Sequence, residues 1–210
     1  MKSYKLNINA LIVYVGLISL ILFSTVLLVF NLAEPKGLGE MLLHYGYIIA
    51  PVSILWVLTD HYLWHTKFMQ FAGKTLNIPP DIRGRWEGVL ENADGSGTQK
   101  FAIEVSQTLT KLRVCSYSSI AQSDSVLAEI ASSASEDNFT LCYLWQGQLN
   151  KAMKDINLSE NIHGYTMLTL DQTNSVKILK GYYFTDVRPV QTRGGIELKW
   201  ISIAFKKSLD

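Results

Sequence analysis

The first third of this sequence almost lacks charge. From Leu6 to Ala33 there are 28 consecutive residues without a charged side chain, and a second charge-free run spans Met41 to Thr59. Runs of this length exclude a water-solvated arm. Each is long enough for a membrane-crossing helix, which needs ~20 residues at ~1.5 Å apiece. An excess of positive charge is also lacking. The formal net charge is +1, and from Thr75 onward 14 Lys and Arg stand against 15 Asp and Glu. That balance excludes a generic binder of long nucleic acid, which is held mainly by cations on phosphates, but it leaves room for a small anion in a local pocket.

Cysteine is scarce. Cys115 and Cys142 fall in apolar strand patterns without ligand spacing, and read as two reduced, buried thiols in a cytosolic domain. Histidine is scarce as well. His61 and His65 stand four apart, a spacing that suits a metal on a helix face. The zincin glutamate and a third ligand are missing, so a juxtamembrane polar face is the better reading. His163, the one histidine beyond that region, reads as a turn or core residue. Glu87 and Glu91 read as solvent-facing strand residues. Neither a Gly-rich phosphate loop after a strand nor a G-x-S-x-G elbow is present. No catalytic residue, no metal site and no resident cofactor is assigned, and the chain reads as a non-enzyme.

What is present begins with the two apolar runs. They predict a transmembrane helical hairpin over residues 1–66, a linker over 67–81 stopped by Pro79-Pro80, and a soluble domain over 82–210. The first run is too long for a signal peptide, and a second span follows it. Lys2 and Lys5 precede the first span, and Lys67, Lys74, Arg83 and Arg85 follow the second. The short loop Glu34–Glu40 carries net −1. Basic residues concentrate on the cytoplasmic side, so both termini are expected in the cytoplasm. Tyr45, Tyr47, Trp56, Tyr62 and Trp64 suit the lipid–water interfaces, and Asp60 is expected at an interface without deep burial. Ser24, Thr25, Asn31 and Ser53 are polar groups in or near lipid. They can hydrogen-bond between helices in an assembly or back to their own helix.

From Ile82 the pattern changes to period two. Strands are predicted over Arg83–Glu91, Gln99–Gln107, Lys111–Ser119, Ser123–Ser132, Phe139–Gln146, His163–Leu170, Ser175–Thr185 and Ile196–Phe205. The fourth reads equally as a short helix, and Gly147–Ile162 and Asp186–Gly195 read as loops. Eight consecutive antiparallel strands with mostly short links predict an all-β, up-and-down, lipocalin-like β-barrel behind the two-helix hairpin. Gly84-x-Trp86 resembles the G-x-W start of lipocalin-type barrels, where the ring plugs one end.

Two signals suggest binding. Arg188, Thr192 and Arg193, with Gly194 and Gly195, stand at one predicted barrel mouth, and guanidinium groups pair with phosphate oxygens. Tyr182, Tyr183, Tyr143 and Trp145 offer faces for nucleobases, and Ser116, Ser118, Ser119, Ser123 and Ser125 form a small, hydroxyl-rich stretch. An ordinary charged hairpin tip over core aromatics accounts for the same residues.

The combination of two N-terminal spans, Arg83-Gly84-Arg85-Trp86-Glu87-Gly88, Ser116–Ser125, Leu141-x-Tyr143 and Leu179-x-Gly181-Tyr182…Arg188…Thr192-Arg193-Gly194 resembles the two-transmembrane, β-strand-rich effectors of bacterial cyclic-oligonucleotide anti-phage systems (CBASS). The resemblance implies a bacterial inner-membrane protein whose cytosolic barrel takes a cyclic dinucleotide made by a partner nucleotidyltransferase. The protein would then associate with itself and disrupt the lipid bilayer. The candidate ligand-binding residues are Arg188, Thr192, Arg193, Tyr182, Tyr143, Trp145, Ser116 and Ser118. Where such proteins usually show a proline after the fifth-strand aromatics, this chain has Gln146-Gly147. Two other readings compete. One is a membrane-tethered barrel for an apolar small ligand, with an uncharged interior and both arginines in solvent. The other is a filled barrel that docks a protein partner.

Overall fold

A computed structural model describes residues 2–3, 8–30, 37–66, 69, 78–95, 97–132, 139–149, 161–171, 176–186 and 191–209. The chain divides into two units. The helical unit holds α1 (Ile8–Phe30) and α2 (Leu38–Leu58), with one π-helical turn at Thr59–Leu63. Side chains are described for only part of each helix, and over the described residues no helix is long and apolar enough to cross a membrane. The two spans therefore rest on the sequence. Ser24 and Thr25 donate their hydroxyls to Leu20 O (2.9 Å) and Ile21 O (2.8 Å) one turn back, the intrahelical bonding that small hydroxyl residues commonly make. Ser53 is exposed on α2, and Asn31 lies outside the described residues.

Asp60 corrects an expectation. It is buried, because residues Thr108–Thr110 belong to this unit and Thr110 donates both its N–H and its hydroxyl to the Asp60 carboxylate, each at 2.9 Å. A buried carboxylate needs such donors to offset lost hydration.

The other unit is a closed barrel. A two-residue strand β1 (Lys2–Ser3) precedes the eight barrel strands β2 (Gly84–Asn92), β3 (Thr98–Gln107), β4 (Leu112–Ser118), β5 (Ala121–Ser132), β6 (Phe139–Leu149), β7 (Asn161–Asp171), β8 (Ile178–Thr185) and β9 (Arg193–Ser202). Each barrel strand pairs antiparallel with the next, and β9 pairs back to β2. The up-and-down closure removes free edges. The fourth predicted element is a strand, with an irregularity between Ser125 and Leu127. β4 and β5 pair over only three positions. Past them, Val114 N–H turns to the Ser125 hydroxyl at 2.9 Å, and β1 pairs with Ser132 and Ala131.

Alternation decides what fills the barrel. Trp86, Ile103, Val105, Val114, Leu141, Leu168, Leu179 and Leu198 point inward and form its core. Trp86 is fully buried, and its indole N–H reaches Ile82 O at 3.0 Å, so it plugs this end as the G-x-W start suggested. Gln107 ties the entering chain down, accepting from Ile82 N–H (3.1 Å) and donating to Pro80 O (3.0 Å).

Outside the wall, residues 206–209 cover an ionic cluster. Arg85 is fully buried. It donates to Glu87 (2.5 Å), Glu104 (2.9 Å), Ser208 O (2.6 Å) and Leu209 O (2.9 Å). Glu104 also accepts the backbone N–H groups of Lys206 (2.7 Å) and Lys207 (3.0 Å) and the Tyr117 hydroxyl (3.1 Å).

Cys115 and Cys142 are free thiols, both half-buried. Cys115 donates to Asp124 at 2.8 Å. Burial first, then the Asp124 bond and charge, push its thiol up to about 12. Since the thiolate is the nucleophile, Cys115 should react with iodoacetamide at pH 8 at least ~100-fold more slowly than a free cysteine. Peptide mapping by mass spectrometry reads this directly, and labelling at the free-thiol rate would refute the hydrogen-bonded placement.

Candidate functional site

The end of the barrel opposite Trp86 is not filled. Side chains shorten there, and a cavity of about 320 Å³ remains, at the lower end of the range for small-molecule sites. Its wall is built from the inward positions of all eight strands and two flanking residues. Leu90 and Asn92 come from β2, Gln99 and Phe101 from β3, and Ser116 and Ser118 from β4. Ala121 and Ser123 come from β5, Trp145 from β6, and Ile162 and Thr166 from β7. Tyr183 and Thr185 come from β8 and Ile196 from β9, with Ile120 and Thr192 from the adjoining turns. Half of these sixteen residues carry a hydroxyl or amide side chain besides the two polar aromatics. None of them is charged.

Small residues are what leave the space. Ser116 and Ser123 face each other across β4 and β5, the position where the other end of the barrel carries branched aliphatics. Ser118 is spent locally: its hydroxyl donates to Ala121 O (3.0 Å) and accepts from Ala121 N–H (3.0 Å), closing the β4–β5 turn.

One aromatic wall is rigid. The Trp145 indole N–H donates to the Thr166 hydroxyl at 3.0 Å. Its ring lies over Gly164, where a Cβ would sit 2.2 Å from ring atom Cζ2. Tyr183 lines the same cavity from β8, held by its hydroxyl on Asn92 Oδ1 at 2.8 Å. Burial, then the Asp94 carboxylate, push the Tyr183 phenol above its ordinary value, so it stays a neutral donor.

The rim is braced at the β8–β9 link. Thr185 N–H reaches Thr192 O (2.8 Å), Thr192 N–H reaches the Thr185 hydroxyl (3.0 Å), and the two hydroxyls meet at 2.7 Å. Ala93 N–H donates to Arg193 O at 2.9 Å, which joins the neighbouring turn to the same rim.

Ser116, Ser118, Trp145 and Thr192 of the nominated residues therefore share one cavity. Tyr143 lies inward beneath it, 1 % exposed, and does not present a ring face to the space. Tyr182 and Arg193 point outward. Tyr182 lies on the outer face, its hydroxyl on the Met167 sulfur at 2.9 Å, and Arg193 is exposed at the start of β9. Strand alternation is the reason, because Tyr183 and Gly194 take the inward positions. Arg188 lies outside the described residues. The other twelve lining residues, Asn92, Gln99, Phe101, Thr166 and Thr185 among them, were not candidates from the sequence. Their signal was the inward period of their strands, which an assigned register would have revealed. No group of three or more potential metal ligands occurs among the described residues.

Residues 77–200 match the family described as Cap15, cyclic dinucleotide receptor domain, a stretch that contains every cavity-lining residue named above. No curated protein matches the chain.

Proposed function

The chain belongs to the Cap15 cyclic dinucleotide receptor family, and on that premise we propose that its barrel takes a cyclic dinucleotide into the open end and acts as a CBASS effector. The observation that carries this is the cavity of about 320 Å³, walled by hydroxyls and by the fixed faces of Trp145 and Tyr183. Flat bases need such faces and edge partners. The role read here is that of a receptor, as the family description has it.

The ligand acts by preferring the assembled state, since binding shifts an equilibrium only by its differential affinity. Association of barrels gathers many hairpins, and high local concentration makes weak contacts between spans effective. The bacterial inner membrane is then disrupted by the clustered spans, with Ser24, Thr25, Asn31 and Ser53 as their polar groups. The pairing of Lys2–Ser3 with β5 supports the reading that both termini lie on the cytoplasmic side. The activating ligand comes from a partner nucleotidyltransferase.

The test uses the full chain in dye-loaded liposomes. A panel of cyclic dinucleotides covering purine and pyrimidine bases should contain one that triggers release. At ~100-fold above its dissociation constant it should raise the melting temperature by on the order of 10 °C. Absence of both effects across the panel would overturn the proposal. The uncharged wall favours one second reading, a barrel for an apolar small ligand. Under that reading a long-chain fatty acid stabilises the protein and no cyclic dinucleotide does. The protein-docking reading relied on a filled barrel, and the open cavity removes that basis.

A further inference from the structure

Beneath the cavity, Tyr143 carries a buried oxygen that makes no hydrogen bond among the described residues. The side chain is 1 % exposed. It leans toward the hydroxyls of Ser116 and Thr166, which offset part of the upward push that burial gives its phenol, but neither contact has the length and angle of a hydrogen bond. Unmade hydrogen bonds on buried donors are costly and uncommon. Here the orphan sits directly behind two residues that line the cavity.

The neighbouring hydroxyls have a fixed sense. Thr166 Oγ1 already accepts the Trp145 indole N–H at 3.0 Å, so its own hydrogen remains to be donated. Without ligand the Tyr143 hydroxyl makes no bond; once a ligand draws the Ser116 hydrogen into the cavity, the Ser116 oxygen is left to accept from Tyr143. The floor then offers O–H donors and no cation. A phosphate taken to this depth would be a buried charge without a countercharge, which is strongly unfavourable. A neutral heterocycle edge has no such cost.

Resting on the cyclic dinucleotide reading above, we propose that one base of the ligand enters edge-first between Trp145 and Tyr183, and that its ring carbonyl is read by the Ser116 and Thr166 hydroxyls, which Tyr143 orients from behind. Tyr143 is thus a positioning residue that sets base preference, and the phosphates stay at the mouth. The ligand class follows: cyclic dinucleotides with at least one carbonyl-bearing base, guanine or uracil, are preferred over one built from adenine alone. A carbonyl oxygen has two lone pairs and accepts from both hydroxyls at once, whereas each adenine ring nitrogen has one, so adenine leaves one of the paired donors unmet.

The experiment measures affinities of cyclic di-GMP, cyclic di-UMP, the mixed guanine–adenine and uracil–adenine rings and cyclic di-AMP for the full chain in detergent, for wild type and Tyr143→Phe. Wild type should bind its best carbonyl-bearing ligand at least tenfold more tightly than cyclic di-AMP. In Tyr143→Phe this ratio should fall below about threefold, while the ligand-free melting temperature stays level or rises, because an unsatisfied buried hydroxyl has been removed. A preference for cyclic di-AMP, a ratio unchanged by the substitution, or a lower ligand-free melting temperature each overturns the inference while leaving the receptor reading standing. No binding of any ring by wild type overturns both.

Discussion

Glu104→Ala should lower the stability of the barrel by about 2–4 kcal/mol, the largest loss expected from any single polar residue of its outer wall. The carboxylate is 3 % exposed, and it holds Arg85 and two backbone N–H groups of the covering segment. Truncating one partner of a buried ion pair typically costs ~3–5 kcal/mol, because the other charge is left buried. Two features put this case toward the lower end. The cover is a single layer of chain, residues 206–209, and Arg85 keeps the partly exposed Glu87 as a second carboxylate. The melting temperature of the full chain should fall by on the order of 10 °C. Replacing Arg85 and Glu104 together by methionines should cost less than Glu104→Ala alone, since no charge is then stranded.

The same cluster fixes a pH dependence. Burial alone pushes the Glu104 carboxyl up, but the N–H groups of Lys207 and Lys206, then Arg85 and Tyr117, outweigh it and hold the carboxyl below its ordinary value of 4.5. A carboxyl depressed in the folded state binds its proton more readily when unfolded. Its contribution is therefore complete above about pH 4.5 and is lost as pH falls through the lower, folded value. The gap in melting temperature between wild type and Glu104→Ala should be constant near neutrality and narrow progressively as pH falls below 4.5. A gap that does not narrow in acid would show that packing of residues 206–209, and not the charge cluster, is the source.

The strands were legible because their apolar period is two and each has an inward and an outward face. Trp86, Ile103, Val114, Leu141 and Tyr143 all occupy the inward faces their alternation implied. The glycines misled. Gly147 and Gly194 read as loop residues, yet both lie within strands. A Cβ at Gly147 would stand 2.9 Å from the Ser123 side chain, and one at Gly194 would stand 1.9 Å from Glu91 O. They are glycines because a neighbouring strand passes too closely for any side chain, a tertiary fact with no local signature. β6 accordingly runs on to Leu149 and β9 begins at Arg193. The cavity was legible in kind but not in detail. Ser116 and Ser118 of the hydroxyl-rich stretch and Trp145 of the aromatics do line it. One step of register exchanged Tyr182 for Tyr183 and moved Arg193 from the mouth to the outer face. Asp60 shows the same limit, since its donors on Thr110 lie 50 residues away in sequence.

Ala121→Trp should abolish ligand response while leaving the protein folded. Ala121 lines the cavity near its mouth on β5. Its hydrogen bonds to the Ser118 hydroxyl, one donated and one accepted, use backbone atoms only, so the turn they close is indifferent to the side chain. Large-to-small changes in a packed core leave voids, and small-to-large changes strain it. Here the added indole grows into space that is already open, and tryptophan suits a strand. The ligand-free melting temperature should stay within about 2 °C of wild type. Binding should suffer far more, because an indole occupies a large share of about 320 Å³. Affinity for the activating cyclic dinucleotide should fall at least ~100-fold, and dye release from liposomes should disappear at concentrations that saturate the wild type. The pairing of these two measurements is what gives the variant its force. Lost response in a protein of unchanged stability assigns the barrel's open end as the receptor site. Undiminished release would place recognition on another surface of the chain and remove the cavity from the mechanism.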